Sequence, residues 1–320
     1  MVLTTPLIAA LSKHGPVDVV TRPAAAGLLA NNPHIRDVIA FDKGGPDGGL
    51  FSFLRMARQL RNARYGTAYI AQASIRSGAL ATAAGIPTRV GFATAPGRAF
   101  YTRRVAIPEG LHASARLLRL AGDDVNEVRV SLFPGISERA AVDRLLALHE
   151  AHDDAPLVAL APASVWATKR WPYYPDLARL LALDARVVVL GSAADAPLAR
   201  EVCKAAGASA INAAGALSLL GSAELVRRCR ALVTNDSAPQ HLASAVGTPT
   251  VTIFGPTVAE FGFGPLAPAS ESVGIDGLSC RPCHPHGPKR CPEGHWRCML
   301  ELAPERVAAR VKHILSQPAS

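Results

Sequence analysis

The sequence predicts an α/β protein made of two doubly wound halves that face a cleft. Short apolar runs typical of buried strands alternate with amphipathic helical segments, which indicates parallel sheets. The length of 320 residues suits two medium-sized domains. A polar stretch that ends in proline, 149–156, interrupts the alternation and predicts a boundary between domains 1–152 and 153–320.

The first half opens in a helix. Leu3, Leu7, Ile8 and Leu11 have helical spacing, and Gly15 ends the segment. The first helix of an α/β domain normally follows a strand, and no strand precedes this one in the sequence. The later elements are runs bounded by turn residues, with strands at 17–20, 37–41, 68–71 and 89–92 and helices at 51–64, 74–84, 112–120 and 137–149.

The second half repeats the alternation with more strongly apolar strands. Runs of valine, leucine, isoleucine and alanine predict strands that are buried on both faces. The strands are predicted at 157–161, 186–190, 208–212, 231–233 and 251–254, and the helices at 174–183, 196–206, 222–229 and after Ser237. A cysteine-rich loop, 280–298, precedes a closing helix, 304–316.

Composition and charge limit the classes of function. The net charge of +9 favours an anionic partner. The arginines of segment 51–64 are spread as on a solvated helix face, and an aromatic content of 5% offers few platforms for stacking bases, so no nucleic-acid partner is predicted. The sequence shows neither an apolar run of 18 residues nor a signal-peptide pattern, which predicts a cytoplasmic location.

The most informative segment is 234–257, in which a strand end, a polar turn, a short helix, a second strand and a Gly255-Pro256 turn follow one another. Asp236 or Ser237 is a candidate cap for the helix. The free N–H groups and the dipole of a helix start form a ready anion site, and His241 is expected beside it. An ordinary strand–helix–strand turn with a good cap is the alternative interpretation.

This segment resembles the signature of glycosyltransferase family 9, the bacterial lipopolysaccharide heptosyltransferases. Segment 162–172 resembles the family's phosphate loop, 3–6 the start of its first helix, and 280–299 the cysteine-rich tail of the heptosyltransferase II branch. The similarity spans nearly the whole chain and implies the GT-B fold, with the donor held mainly by the second half.

The resemblance implies an inverting transferase that moves heptose from ADP-heptose to the inner core of lipopolysaccharide, on a lipid A-linked acceptor. That acceptor is strongly anionic, in agreement with the positive net charge. Peripheral contact with the inner face of the inner membrane is expected. A GT-B transferase for another nucleotide sugar, and an inactive protein that binds a sugar nucleotide or a lipopolysaccharide precursor, are the alternatives.

The phosphate loop supplies the best candidate cation. Lys169 follows a strand's carboxyl end, and the matching lysine of the family contacts the donor phosphates. Ser164 matches a hydroxyl position in the same loop. Arg170 is either a second phosphate ligand or a surface charge, and Trp171 is expected to anchor the loop in the core.

The turn after the strand at 231–233 supplies the other candidates. Asp236 matches an acid that the family places near the transferred sugar, and Ser237 with the N–H groups after it would face the phosphates. Ala238 stands where the family usually has glycine, which places an extra Cβ near a phosphate. His241 is a candidate phosphate contact or a structural histidine. Asp195 is either a ribose ligand or a helix cap.

No cofactor is expected to be required. The sequence contains no Asp-x-Asp motif, and the adjacent pairs Asp123-Asp124 and Asp153-Asp154 would point in different directions. Positive side chains and helix ends must therefore balance the phosphate charge. Four cysteines suggest a structural zinc site or disulfides, and a cytosolic location disfavours disulfides. These cysteines are Cys280, Cys283, Cys291 and Cys298.

The family resemblance also predicts where the general base belongs. Family members have a strand and a Gly-Asp pair before the first helix, and that aspartate is thought to take the acceptor proton. The matching position falls just before Met1, so no residue of this sequence corresponds to it. The sequence therefore predicts little or no transferase activity for the chain as written.

Overall fold

The computed structural model describes residues 1–107, 109–122, 128–151 and 155–318. The chain divides into two compact units, Leu3–Val130 and Ser131–Ser320. The predicted boundary between 152 and 153, like the pairs Asp123-Asp124 and Asp153-Asp154, lies outside the described residues. The second unit begins earlier than that boundary, because the helix Ile136–Leu148 packs into the core of the second unit.

The first unit alternates short strands and helices. Its elements are α1 (Thr5–Ser12), β1 (Asp18–Thr21), α2 (Pro23–Ala26), β2 (Asp37–Ala40), α3 (Leu50–Asn62), β3 (Thr67–Ile70), α4 (Ile75–Ala83), β4 (Thr88–Phe92), β5 (Arg103–Val105) and α5 (Ala113–Leu118). The sequence did not predict α2 and β5, which are only four and three residues long. The other elements confirm the predicted order, with small shifts of their ends.

The strands of the first unit form two parallel sheets instead of one. β1 pairs with β2, and β3, β4 and β5 pair in that order. Among the described residues β1 and β3 each have one unpaired edge. A hydrogen bond of 2.5 Å from the Tyr65 hydroxyl to Asp18 connects the amino-terminal ends of these two strands.

The second unit contains a six-stranded parallel sheet with helices on both faces. Its elements are α6 (Ile136–Leu148), β6 (Leu157–Ala161), α7 (Tyr174–Leu181), β7 (Arg186–Val189), α8 (Ala196–Ala206), β8 (Ile211–Asn212), α9 (Leu219–Arg227), β9 (Ala231–Asn235), α10 (Ala238–Val246), β10 (Thr250–Ile253), β11 (Glu271–Val273), α11 (Arg297–Leu300) and α12 (Pro304–Ser316). Residues on alternate faces of the central strands enter two separate apolar clusters, as expected for a parallel sheet covered on both sides.

The strand order of the second unit, β11-β10-β9-β6-β7-β8, places a topological switch point between β6 and β9. The chain continues from β6 to β7 and β8 on one side, and then from β9 to β10 and β11 on the other. Ligands of such sheets bind outside the carboxyl ends of the strands at this point. Among the described residues, no helix has the length and apolar character needed to cross a bilayer.

Candidate functional site

The candidate site lies at the switch point of the second unit, where the loops after β6 and β9 adjoin. Lys169 comes from the first of these loops and Asp236 from the second. Their Nζ and Oδ2 atoms are 2.5 Å apart, and the two side chains are only 10% and 12% exposed. The sequence predicted both residues separately, and the structure brings them together across 67 residues of chain.

The Asp236 carboxylate is held from three directions. Besides Lys169, the Thr257 hydroxyl donates to Oδ2 at 2.7 Å and the Gln240 amide donates to Oδ1 at 3.0 Å. The carboxylate is therefore not the helix cap that the sequence offered as its alternative role. Removing one partner of a buried ion pair typically lowers the free energy of unfolding by about 3–5 kcal/mol. Lys169 and Asp236 therefore stabilise each other until a charged ligand takes the place of one partner.

Asn235 joins the two loops and was not identified from the sequence. Its side-chain amide donates to the Pro162 carbonyl at 2.8 Å, and its side-chain oxygen accepts from the Trp171 backbone N–H at 3.2 Å. The Trp171 indole is 2% exposed and donates to the Leu302 carbonyl at 3.0 Å. The predicted role of Trp171 as a loop anchor in the core is thus confirmed.

The start of α10 faces the same edge of the sheet. Ser237 precedes the helix in an extended backbone conformation and makes no side-chain capping bond, although its hydroxyl lies 3.3 Å from that of Thr234. The first N–H groups of α10 thus lack a side-chain cap, which suits an anion. Ala238 is the first helical residue and has no positive φ, so it replaces glycine here without backbone strain. His241 lies one turn further along, half-buried.

Two predicted residues have local structural contacts instead of a contact to the ion pair. The Ser164 carbonyl accepts from Arg170 Nε at 2.7 Å, so this exposed arginine folds the phosphate loop back on itself. The Asp195 carboxylate accepts from the Ser192 N–H at 2.8 Å and from its hydroxyl at 2.6 Å. Asp195 thereby closes the turn after β7, and no described contact joins it to Lys169 or Asp236.

The cysteine-rich loop packs directly on Lys169, which the sequence did not reveal. A Cβ added at Gly287 would lie 2.9 Å from Lys169 Cε, and the Thr168 hydroxyl donates to the Pro288 carbonyl at 2.5 Å. Arg281 fastens the base of the loop by donating to the carbonyls of Gly255 and Ile275, each at 2.8 Å. The loop is therefore a wall of the candidate site.

The cysteines of this loop are free thiols. Cys283, Cys291 and Cys298 line a cavity of about 10 Å³, and Cys280 Sγ lies 3.7 Å from His295 Nε2. Burial, and then the neighbouring cysteines, raise the pKa of Cys298 to about 11. Within the described part of the chain, no group of three or more ligands is arranged to hold a metal ion, so the residues do not fit the zinc site suggested by their spacing.

A second polar cluster lies in the first unit, at the carboxyl ends of β2 and β3. Lys43 Nζ donates to Gln72 Oε1 at 2.7 Å, to the Ser77 hydroxyl at 2.9 Å and to the Ser74 hydroxyl at 3.1 Å. Burial, and then the charges of Arg76 and Arg22, lower the pKa of Lys43. These partners carry no negative charge, so the cluster is suited to an anionic group. Two serines after a strand end are a weak signal for this cluster in the sequence.

The comparisons with known proteins agree with one another. The model of glycosyltransferase family 9 (heptosyltransferase) matches residues 53–297. Lipopolysaccharide heptosyltransferase 2 of Escherichia coli K12 is 25% identical over 324 residues, which cover 94% of this chain and 90% of that protein.

Two solved structures show the same fold. E. coli ADP-heptose lipopolysaccharide heptosyltransferase II has a TM-score of 0.78 at 23% identity, over 98% of this chain and 95% of that one. A glycosyl transferase of family 9 from Veillonella parvula has a TM-score of 0.86 at 22% identity, over 98% and 93%. The predicted α/β fold of the GT-B type is confirmed.

Proposed function

The chain belongs to glycosyltransferase family 9, the heptosyltransferases, and from that premise we propose that it transfers heptose from ADP-heptose to the inner core of lipopolysaccharide with inversion at the anomeric carbon. The observation that carries the proposal is the buried Lys169–Asp236 pair beside the uncapped start of α10. The E. coli relatives are heptosyltransferases that act on lipopolysaccharide, and one is named for ADP-heptose.

The pair and the helix start suit a sugar nucleotide for electrostatic reasons. The diphosphate of the donor gains negative charge as its bond to the sugar breaks. Lys169 would stabilise that charge, while the backbone N–H groups of Ser237 and Ala238 would hold the phosphate oxygens, since Pro239 has no N–H and the Gln240 N–H donates to the Ser237 carbonyl. The Asp236 carboxylate, next to Lys169, would then contact the transferred sugar. Donor binding then requires no divalent metal.

Inversion follows from a single displacement. The acceptor hydroxyl attacks the anomeric carbon from the face opposite ADP, the glycosidic bond to the acceptor forms, and the bond to the ADP oxygen breaks. The hydroxyl proton passes to a general base. On the acceptor side, the Lys43 cluster with Ser74 and Ser77 would hold an anionic group of the inner core.

The general base is assigned to an aspartate on a strand that completes the first unit. One of the common doubly wound sheets, which the second unit also follows, has the strand order 3-2-1-4-5-6. The two sheets of the first unit reproduce this order as β2-β1 and β3-β4-β5 if one strand stands between β1 and β3. A strand ahead of α1 would fill that position, and the resemblance places Gly-Asp at its end.

A nucleotide titration tests the assignment of the donor. We expect ADP to bind with a stoichiometry of one in isothermal calorimetry, with EDTA present, and UDP to bind at least about tenfold more weakly. If UDP bound more tightly than ADP, the alternative of a transferase for another nucleotide sugar would replace the proposal. If EDTA abolished ADP binding and Mg²⁺ restored it, the donor would require a metal.

Substituting Gly287 by alanine tests whether the cysteine-rich loop shapes the donor site. The new Cβ would lie 2.9 Å from Lys169 Cε, and the overpacking should displace the lysine and weaken ADP binding by roughly tenfold. Gly294→Ala is the matched control, since Gly294 also has a positive φ but faces open space in the same loop. Equal ADP affinities of the two variants would contradict a role for the loop at Lys169.

A further inference from the structure

The first turn of α3 presents large apolar side chains to solvent. Leu50, Phe51 and Leu54 are 73%, 87% and 54% exposed. The helix has a separate core face, since Met56, Ala57 and Leu60 are buried. At about 100° per residue, the three exposed side chains share an arc of about 100°, whose centre lies about 120° around the helix from the centre of that core face. A contiguous exposed apolar cluster is a candidate interaction surface.

The exposed side of α3 becomes positive after this turn. Arg55, Arg58 and Arg61 follow on the same side, and the helix contains no acidic residue. Arg55 pairs with Asp47 at 3.1 Å and Arg61 donates to the Ala83 carbonyl at 2.6 Å. Arg58 has no hydrogen-bond or ion-pair partner among the residues described. The exposed side of α3 thus combines an apolar first turn with a basic region in the turns that follow.

The apolar end is presented on a fixed base. Arg76 donates to the carbonyl oxygens of Asp47 and Gly48, at 2.9 and 2.5 Å, in the segment just before the helix. The same guanidinium lies 5.7 Å from the ring centre of Phe53, which packs against the core of the first unit. These contacts hold the start of α3 in place, so the exposed side chains remain directed outward.

We propose that Leu50, Phe51 and Leu54 with Arg55 and Arg58, named here the α3 tip, dock on an anionic lipid bilayer. The apolar side chains would enter the boundary of the acyl chains while the arginines stay with the lipid phosphates. Charge complementarity favours this occupant over a second copy of the chain, which would bring the Arg58 side chains of two molecules together. The inference rests on the proposed function only in that the proposed acceptor is linked to a lipid. Docking on a bilayer requires neither ADP-heptose nor heptose transfer.

Vesicle sedimentation tests the proposal without any sugar nucleotide. The chain should bind vesicles that contain phosphatidylglycerol and should bind pure phosphatidylcholine vesicles much more weakly. Phe51→Ser should weaken binding by roughly tenfold or more, because a large apolar side chain no longer leaves water. Arg58→Gln should weaken it by about fivefold, and added salt should weaken it further.

The matched control is Leu148→Ser, since Leu148 is 81% exposed but lies on α6 of the second unit. This variant should bind the vesicles as the unchanged chain does. The proposal is overturned if the unchanged chain ignores the anionic vesicles, or if Phe51→Ser and Leu148→Ser bind them equally. It is also overturned if Phe51→Ser instead reduces self-association in analytical ultracentrifugation. Normal vesicle binding without ADP affinity would refute the proposed function and leave the α3 tip intact.

Discussion

Replacing Lys169 by alanine is expected to weaken ADP binding by about 10–150-fold, the equivalent of about 1.5–3 kcal/mol for a hydrogen bond to a charged group. Lys169 is buried at the switch point and has a carboxylate as its partner at 2.5 Å, so its charge is poorly screened by water. Calorimetric titration with ADP measures the loss.

The control for this prediction is another lysine of the same unit. Lys312 pairs with Asp184 at 2.7 Å, but both side chains are 49% exposed. Lys312→Ala should therefore leave the affinity for ADP unchanged. Circular dichroism checks that the Lys169→Ala chain is folded, which we expect because Asp236 keeps its bonds from Thr257 and Gln240. A folded Lys169→Ala chain with undiminished ADP affinity would refute the assignment of the phosphate site.

Adding a strand that ends in Gly-Asp before Met1 is expected to raise the rate of heptose transfer by about 10²–10⁴-fold, the usual contribution of a general base. The strand would pair with the open edges of β1 and β3 and join the two sheets of the first unit. Its carboxyl end would bring the aspartate to the edge of the sheet where Lys43 lies. Transfer is measured with ADP-heptose and an inner-core lipopolysaccharide acceptor.

A second extension, which is identical but ends in Gly-Asn, distinguishes the effect of the aspartate from the effect of the added strand. It should raise the melting temperature as the Gly-Asp extension does, because both pair the exposed edges. It should not raise the transfer rate. Equal rates for the two extensions would show that the base lies elsewhere, and Asp236 would then be the first residue to substitute.

The sequence predicts most of the fold because the strands of the second unit are nearly continuous apolar runs. β5 (Arg103–Val105) and β11 (Glu271–Val273) lack such an apolar run, since each is three residues long and includes charged or polar residues. The two-sheet form of the first unit could not be read from the pattern, because pairing depends on neighbours that are distant in the chain.

The candidate site was predictable residue by residue but not as an arrangement. Lys169 and Asp236 stand in recognisable motifs, whereas the ion pair between them depends on β6 and β9 lying side by side. Asn235 gave no separate signal, because a buried amide resembles any turn residue in sequence, and Thr257 appeared only as the end of the segment that resembles the family signature. The exposure of individual side chains could not be predicted from the sequence either, since Phe51 and Met56 are both apolar residues of one helix and only Met56 is buried.

Product analysis of the Gly-Asp-extended chain tests the central claim most directly. The chain is incubated with ADP-heptose and the inner-core acceptor, and the acceptor is examined by mass spectrometry while the released nucleotide is quantified. The account predicts one heptose added per acceptor, one ADP released per heptose added, and an inverted anomeric configuration. Transfer from a UDP-sugar in place of ADP-heptose, or a product with retained configuration, would contradict it.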